Sequence, residues 1–103
     1  MPKNKLIVIA VSGFGAVNSL MIANKIKDIL SDLQVDVEVI EMLPTSIEAY
    51  LKGEDADFIV TTNPIPGDIK LPAIAGSALM TGIGEEEVVG RIRSTAQKII
   101  AQG

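Results

Sequence analysis

The sequence predicts an α/β fold, an open four-stranded parallel sheet with helices on both faces. Three observations predict it. Lys5–Val11, KLIVIAV, is apolar after its first residue, as in a central strand covered from both sides. A small glycine-punctuated loop follows, and then apolar residues at helical spacing. Further strand-like and helix-like segments follow, as in sheets joined by crossover helices.

Each element has a local justification. From Ser19 to Leu33, Ile22, Ile26, Ile29, Leu30 and Leu33 make a helical stripe, with Lys25, Lys27 and Asp28 on the wet side. Asn18 or Ser19 is expected to cap its start. Val35–Glu41 alternates apolar and acidic residues, as expected of a strand nearer the sheet edge. Thr45 and Glu48 have capping-box spacing and predict a short helix through Ile47, Tyr50 and Leu51, stopped at Gly53. Asp57–Thr62 is a third strand, and Asn63–Asp68 a loop by its prolines and glycine. Leu71–Ala75 is a short strand that Pro72 assigns to an edge.

Gly82 and Gly84 turn the chain into a last helix, with Val88, Val89, Ile92, Ala96, Ile99 and Ile100 as its buried stripe. Glu85–Glu87 at its start and Arg91, Arg93 and Lys98 later suit the helix dipole. The triple glutamate reads as helix-start electrostatics rather than a metal site. Right-handed crossovers then give strand order 2-1-3-4 in a Rossmann-like sheet, with residues 1–103 as one domain.

Composition narrows the chemistry. Hydrophobic residues make up 48% of the 103 and aromatics only 3%, so the core must be aliphatic. A net charge of -4 argues against nucleic-acid binding, which needs a basic surface. With no cysteine and no histidine, the chain has no thiolate, no zinc–thiolate site and no Ser-His-Asp triad. No cofactor is implied. The basic, apolar start resembles a signal peptide, but it reads better as a buried strand, and no stretch approaches the ~20 apolar residues of a membrane span. A cytoplasmic protein without direct membrane insertion is expected.

The loop from Ser12 to Ser19 is the candidate site. In open α/β sheets, ligands bind beyond the carboxyl ends of strands. Gly13 and Gly15 let backbone N–H groups turn inward, while Phe14, Ala16 and Val17 fill the rest of the loop. Asn18 and Ser19 add donors at a helix start, where free N–H groups and the dipole favour an anion. The other reading is a plain strand-to-helix turn. GFGAVN lacks the third glycine of a dinucleotide fingerprint, and no GK[ST] exists for a nucleotide P-loop. A loop so small and poor in cations suits one phosphoryl group.

The segment VIAVSGFGAVNSLM resembles the IIB components of the bacterial sugar phosphotransferase system (PTS), particularly the galactitol-type branch. These have a strand, a cysteine, a small-residue loop ending in a hydroxyl pair, and a helix. Ser12 stands at the cysteine position, Gly13 at the following glycine and Ser19 at the hydroxyl residue. DADFIVTT at 55–62 and GDIKLPAIAGSALMTGIGEEEVVGRI at 67–92 continue the likeness. The resemblance implies a phosphoryl carrier. A IIA protein gives a phosphoryl group to the cysteine, which passes it to a sugar held by the membrane transporter IIC. It implies a four-stranded parallel sheet flanked by helices. Low-molecular-weight tyrosine phosphatases use a similar loop, but their loop arginine has no counterpart here.

Ser12 departs from that pattern. A thiol ionises near pH 8.5 and lower beside N–H donors, whereas a hydroxyl stays protonated and needs a base. The Ser12 form is therefore expected to relay poorly. Serine stands there either as a replacement for cysteine or as the natural residue of an inactive phosphate-binding or partner-docking relative. Phe14 is either a docking anchor or folded onto the helix. Thr61, Thr62 and Asn63 either face the crevice or make ordinary turn bonds; Ser77 and Thr81 either line the site or are plain loop polarity. Asp68 is a conceivable base that nothing in the sequence places, and Asp55 and Asp57 are too isolated to argue a metal.

Overall fold

The computed structural model describes residues 4–12, 16–63, 65 and 69–102, with backbone alone over 16–19. The strands are β1 (Lys5–Val11), β2 (Asp36–Met42), β3 (Phe58–Thr61) and β4 (Ala73–Ala75). The helices are α1 (Ala16–Ile29), α2 (Ile47–Gly53), α3 (Ala78–Thr81) and α4 (Glu85–Gln102). All pairings are parallel, in the order β2-β1-β3-β4, as predicted.

Burial follows this order. β1 is buried on both faces because strands flank it and helices cover it. β2 and β4 are the edges and alternate between covered and open positions. Leu6, Val8 and Ala10 pack on one face with Phe58, Val60 and Ile74, under Ile22 and Ile26 of α1 and Ile92 and Ala96 of α4. Ile9, Val11 and Ile59 pack on the other with Ile47 of α2, beside Ile65, Ile69 and Leu71. Two apolar layers around a parallel sheet follow directly from strands apolar on both faces.

Several boundaries differ from expectation. α1 starts at Ala16 rather than Ser19, so Asn18 and Ser19 lie inside its first turn and are not caps. Past Gly15 no glycine or proline opposes the helix, and alanine favours it. α1 ends at Ile29, short of Leu33, because other groups take its terminal carbonyls. The Ser31 hydroxyl donates to the Asp28 carbonyl at 2.8 Å, and the Arg93 guanidinium of α4 donates to the Ile29 carbonyl at 2.9 Å. Gln34, with φ of 59°, then turns the chain toward β2. Leu33 still packs on the core from this turn.

The capping box at Thr45 does not form. A 3-10 turn at Pro44–Ser46 runs straight into α2, so Thr45 sits within helical backbone and Ser46 takes the N-cap without a side-chain bond. Proline favours the first position of such a turn and pulls the start ahead of Thr45. Gly53 is the last residue of α2 and does not turn left-handed. α3 is an element the periodicity does not reveal. A single turn carries too few residues for a pattern, yet it buries Leu79. Gly82 and Gly84, with φ of 80° and 75°, make the predicted turn into α4, a backbone state that favours glycine. The last turn of α4 holds no basic residue. Its cations lie further in, and Arg93 binds another element instead.

Arg93 is the clearest case. It meets Asp32 through two bonds, Nη1 to Oδ1 at 2.6 Å and the second nitrogen to Oδ2 at 3.1 Å. The Arg93 hydrogen bond holds the Asp32 carboxyl below its ordinary range. Arg93→Ala is expected to lower the melting temperature at neutral pH. A carboxylate with a depressed folded-state value stabilises above its unfolded value, and that contribution is lost as pH falls through the folded value. The gap between wild type and variant in melting scans should therefore narrow below about pH 4. The Ile29 carbonyl bond does not titrate and leaves a remainder.

Gly76 is fixed by close approach. A Cβ there would lie 2.6 Å from Cγ1 of the buried Val60, and its N–H donates to the Thr61 carbonyl at 2.7 Å. A β-branched core side chain cannot swing aside, so Gly76→Ala should cost about 1–3 kcal/mol in urea unfolding.

Candidate functional site

Strand register lines up the carboxyl ends of the sheet. Val11 of β1 pairs with Thr61 of β3, and Thr61 pairs with Ala75 of β4. The residues that follow, Ser12, Thr62 and Gly76, therefore stand along one edge. The chain leaves β1 toward β2 through α1 and returns past it to β3 through α2. Strand order thus reverses at β1, where open α/β sheets place their ligand crevice.

Ser12 follows β1 directly and is only 1% exposed. Three residues separate it from Ala16, where α1 begins. The first turn of any helix has N–H groups without an intrahelical acceptor. Ala16, Val17, Asn18 and Ser19 form that turn here. Gly13, Phe14 and Gly15 lie outside the described residues, as does Asp68, the conceivable base. The structure thus brings Ser12 and the amino end of α1 to the same edge. A strand end next to a helix start is a place where small anions can be held.

The strand-end residues of β3 make turn bonds. The Thr61 hydroxyl donates to the Asn63 carbonyl at 2.7 Å and accepts from the Asn63 N–H at 3.0 Å. The Thr62 hydroxyl donates to Oδ1 of Asn63 at 2.9 Å. Of the two readings of these residues, the turn accounts for the bonds seen. Ser77 is an exposed N-cap of α3 without a side-chain cap bond. The Thr81 hydroxyl accepts from the Ile83 N–H at 3.2 Å, within the turn after α3. Glu85–Glu87 do open a helix, and Glu85 accepts from Nζ of Lys25 on α1 at 3.1 Å. Asp57 is structural: its carboxylate accepts from the Ile7 N–H at 2.7 Å. The arrangement needs none of these for an anion beside Ser12.

A cavity of about 330 Å³ lies on the α2 side of the sheet, lined by Glu48, Leu51, Lys52, Ile69 and Lys70. Sequence reasoning assigns none of these to the site. No described helix is long and apolar enough to cross a membrane.

A family model described as "PTS system, Lactose/Cellobiose specific IIB subunit" matches residues 7–91. The chain belongs to the PTS IIB family. The match runs from within β1 through Ser12 and all later strands, so the candidate site at the end of β1 lies within the matched IIB region. A IIB domain serves phosphoryl transfer in sugar uptake. Among curated relatives, the chain is 26% identical over 87 residues to "Putative phosphotransferase enzyme IIB component SgcB" of Escherichia coli (strain K12). That alignment covers 84% of this chain and 92% of the relative.

Proposed function

We propose that this chain is a phosphoryl carrier, with residue 12 as the acceptor position and the segment 13–19 as its anion cradle. A IIA protein would deliver the phosphoryl group, and a sugar held by the membrane component IIC would receive it, at the cytoplasmic face. One observation carries this reading. Ser12 is buried at the carboxyl end of the strand where sheet order reverses, just ahead of the α1 amino end. The backbone N–H groups of Gly13, Phe14, Gly15, Ala16, Val17, Asn18 and Ser19 would hold the three peripheral oxygens of the phosphoryl group. Such bonds to a charged acceptor contribute about 1.5–3 kcal/mol each. Within the family, the loop spacing of Ser12, Gly13 and Ser19 supports the galactitol-type branch.

The chain contains neither cysteine nor histidine, and this favours a second reading. A serine hydroxyl without a base is a poor acceptor, and its ester is a poor onward donor. In the Ser12 form the domain then acts as a phosphate-binding or partner-docking module of the same fold.

Phosphoryl transfer to the Ser12→Cys protein from a IIA protein charged by its own donor separates the two. Uptake of one phosphoryl group at position 12, with onward passage to sugar in IIC-containing vesicles, supports the carrier. Absence of uptake, together with specific binding of IIA by the serine form, supports the module.

A further inference from the structure

We propose that the cavity beside α2 is a second ligand site, built for a small phosphate monoester that carries hydroxyl groups, as a sugar phosphate does. The proposal goes beyond the carrier reading, because residue 12 takes no part in it. The cavity, about 330 Å³, is lined by Glu48, Leu51, Lys52, Ile69 and Lys70. That is the small end of the roughly 300–1,000 Å³ usual for ligand pockets and suits one small molecule. Glu48, Leu51 and Lys52 stand at positions i, i+3 and i+4 of α2, so they share one face of that helix. Ile69 and Lys70 belong to the segment that enters β4 and supply the other wall. Lys52 lies in the last turn of α2, ahead of β3, and Lys70 shortly precedes β4. Both lysines thus stand toward the amino ends of those strands, whereas Ser12 follows the carboxyl end of β1.

The lining carries three kinds of group. Leu51 and Ile69 are partly buried and pack on the layer of Ile9, Val11, Ile47 and Ile59, so they form a fixed apolar floor. Lys52 and Lys70 are exposed cations, and Glu48 is an exposed carboxylate. Among the described residues, ion pairs join Lys5 to Glu38, Lys25 to Glu85 and Arg93 to Asp32, and none involves a lining residue. Glu48 and Lys52 have the spacing and order of a favourable helix pair, yet they do not form one. Two ammonium groups at one cavity suit an anion with several oxygens. The Glu48 carboxylate only accepts hydrogen bonds, so the ligand must bring donors, and hydroxyl groups do so. Inorganic phosphate meets the lysines but leaves the floor and Glu48 unused. A fatty acid covers the floor but offers Glu48 no donor. A nucleotide finds no aromatic side chain among the lining residues on which its base can stack. A hydroxylated phosphate ester engages all three kinds of group, with its C–H face on Leu51 and Ile69.

The test is titration of the full chain followed by backbone amide shifts in nuclear magnetic resonance. The probes are glucose 6-phosphate, fructose 1-phosphate, galactitol 1-phosphate, inorganic phosphate and unphosphorylated glucose, offered singly at millimolar concentration. At least one of the three esters is expected to shift the amides of residues 48–52 and 69–70. The same ester should bind at least tenfold more tightly than inorganic phosphate or glucose. Lys52→Gln and Lys70→Gln should each weaken it about tenfold. Glu48→Ala should narrow the gap between the ester and inorganic phosphate. All three side chains are exposed, so the variants are expected to fold, and circular dichroism checks this. Amide shifts confined to residues 12–19 would put the ester in the phosphoryl cradle and overturn the second site. Binding indifferent to both lysine substitutions overturns it too, as does equal binding of inorganic phosphate. Silence from all three esters is equally fatal. None of these results bears on phosphoryl transfer to the Ser12→Cys protein, so the two readings fail separately.

Discussion

Replacing Ser12 with cysteine is expected to raise phosphoryl acceptance by about 10²–10⁴-fold, the range that loss of a general base usually removes from an acceptor. The chemistry is a displacement at phosphorus. The bond from residue 12 to phosphorus forms as the donor's bond to phosphorus breaks, while charge spreads over three oxygens that the proposed cradle would bind. A thiol reaches this step already ionised in part, because its ordinary value near 8.5 falls beside N–H donors and a helix start. The Ser12 hydroxyl does not, and the chain has no histidine to take its proton. Quenched-flow transfer with mass detection of the modified peptide reads both forms. Equal rates would mean that the acceptor lies elsewhere. The fold should tolerate the change, since Ser12 and cysteine differ by one atom and the site is buried at a strand end.

Phe58→Ala is the substitution expected to cost the most stability, roughly 3–5 kcal/mol. Phe58 is fully buried on β3, pairs in register with Val8 of the central strand, and lies in the core layer beneath α1 and α4. The chain has only two phenylalanines, so little else can fill the space. A domain of this size usually holds about 5–15 kcal/mol in all. The midpoint in urea should fall with little change in slope, and the melting temperature should drop by about 10 °C or more. Phe58→Leu, which leaves a smaller void, should lose less than half as much. A small effect of Phe58→Ala would mean that the layer between sheet and helices collapses readily around the gap.

Much of the fold was legible because burial on two faces leaves its mark residue by residue. KLIVIAV has no polar residue after Lys5, and only a strand flanked and covered on both sides accommodates that. The stripe through Ile92 and Ala96 marked α4 for the same reason. The position of Ser12 at the carboxyl end of β1 was legible, since Ser12 closes the apolar run. Boundaries were less so. The start of α1, the lost Thr45 cap and the single turn α3 depend on a few residues each, and competing local bonds decide them.

The sequence by itself determined the parallel sheet and its two buried layers, because these follow from local pattern and chain chirality. Only the tertiary structure decided that Arg93 ends α1 from another helix and that Gly76 must lie against Val60. Those facts join residues far apart in the chain. Side-chain packing and strand register bring them together, and neither is written in any short window of sequence.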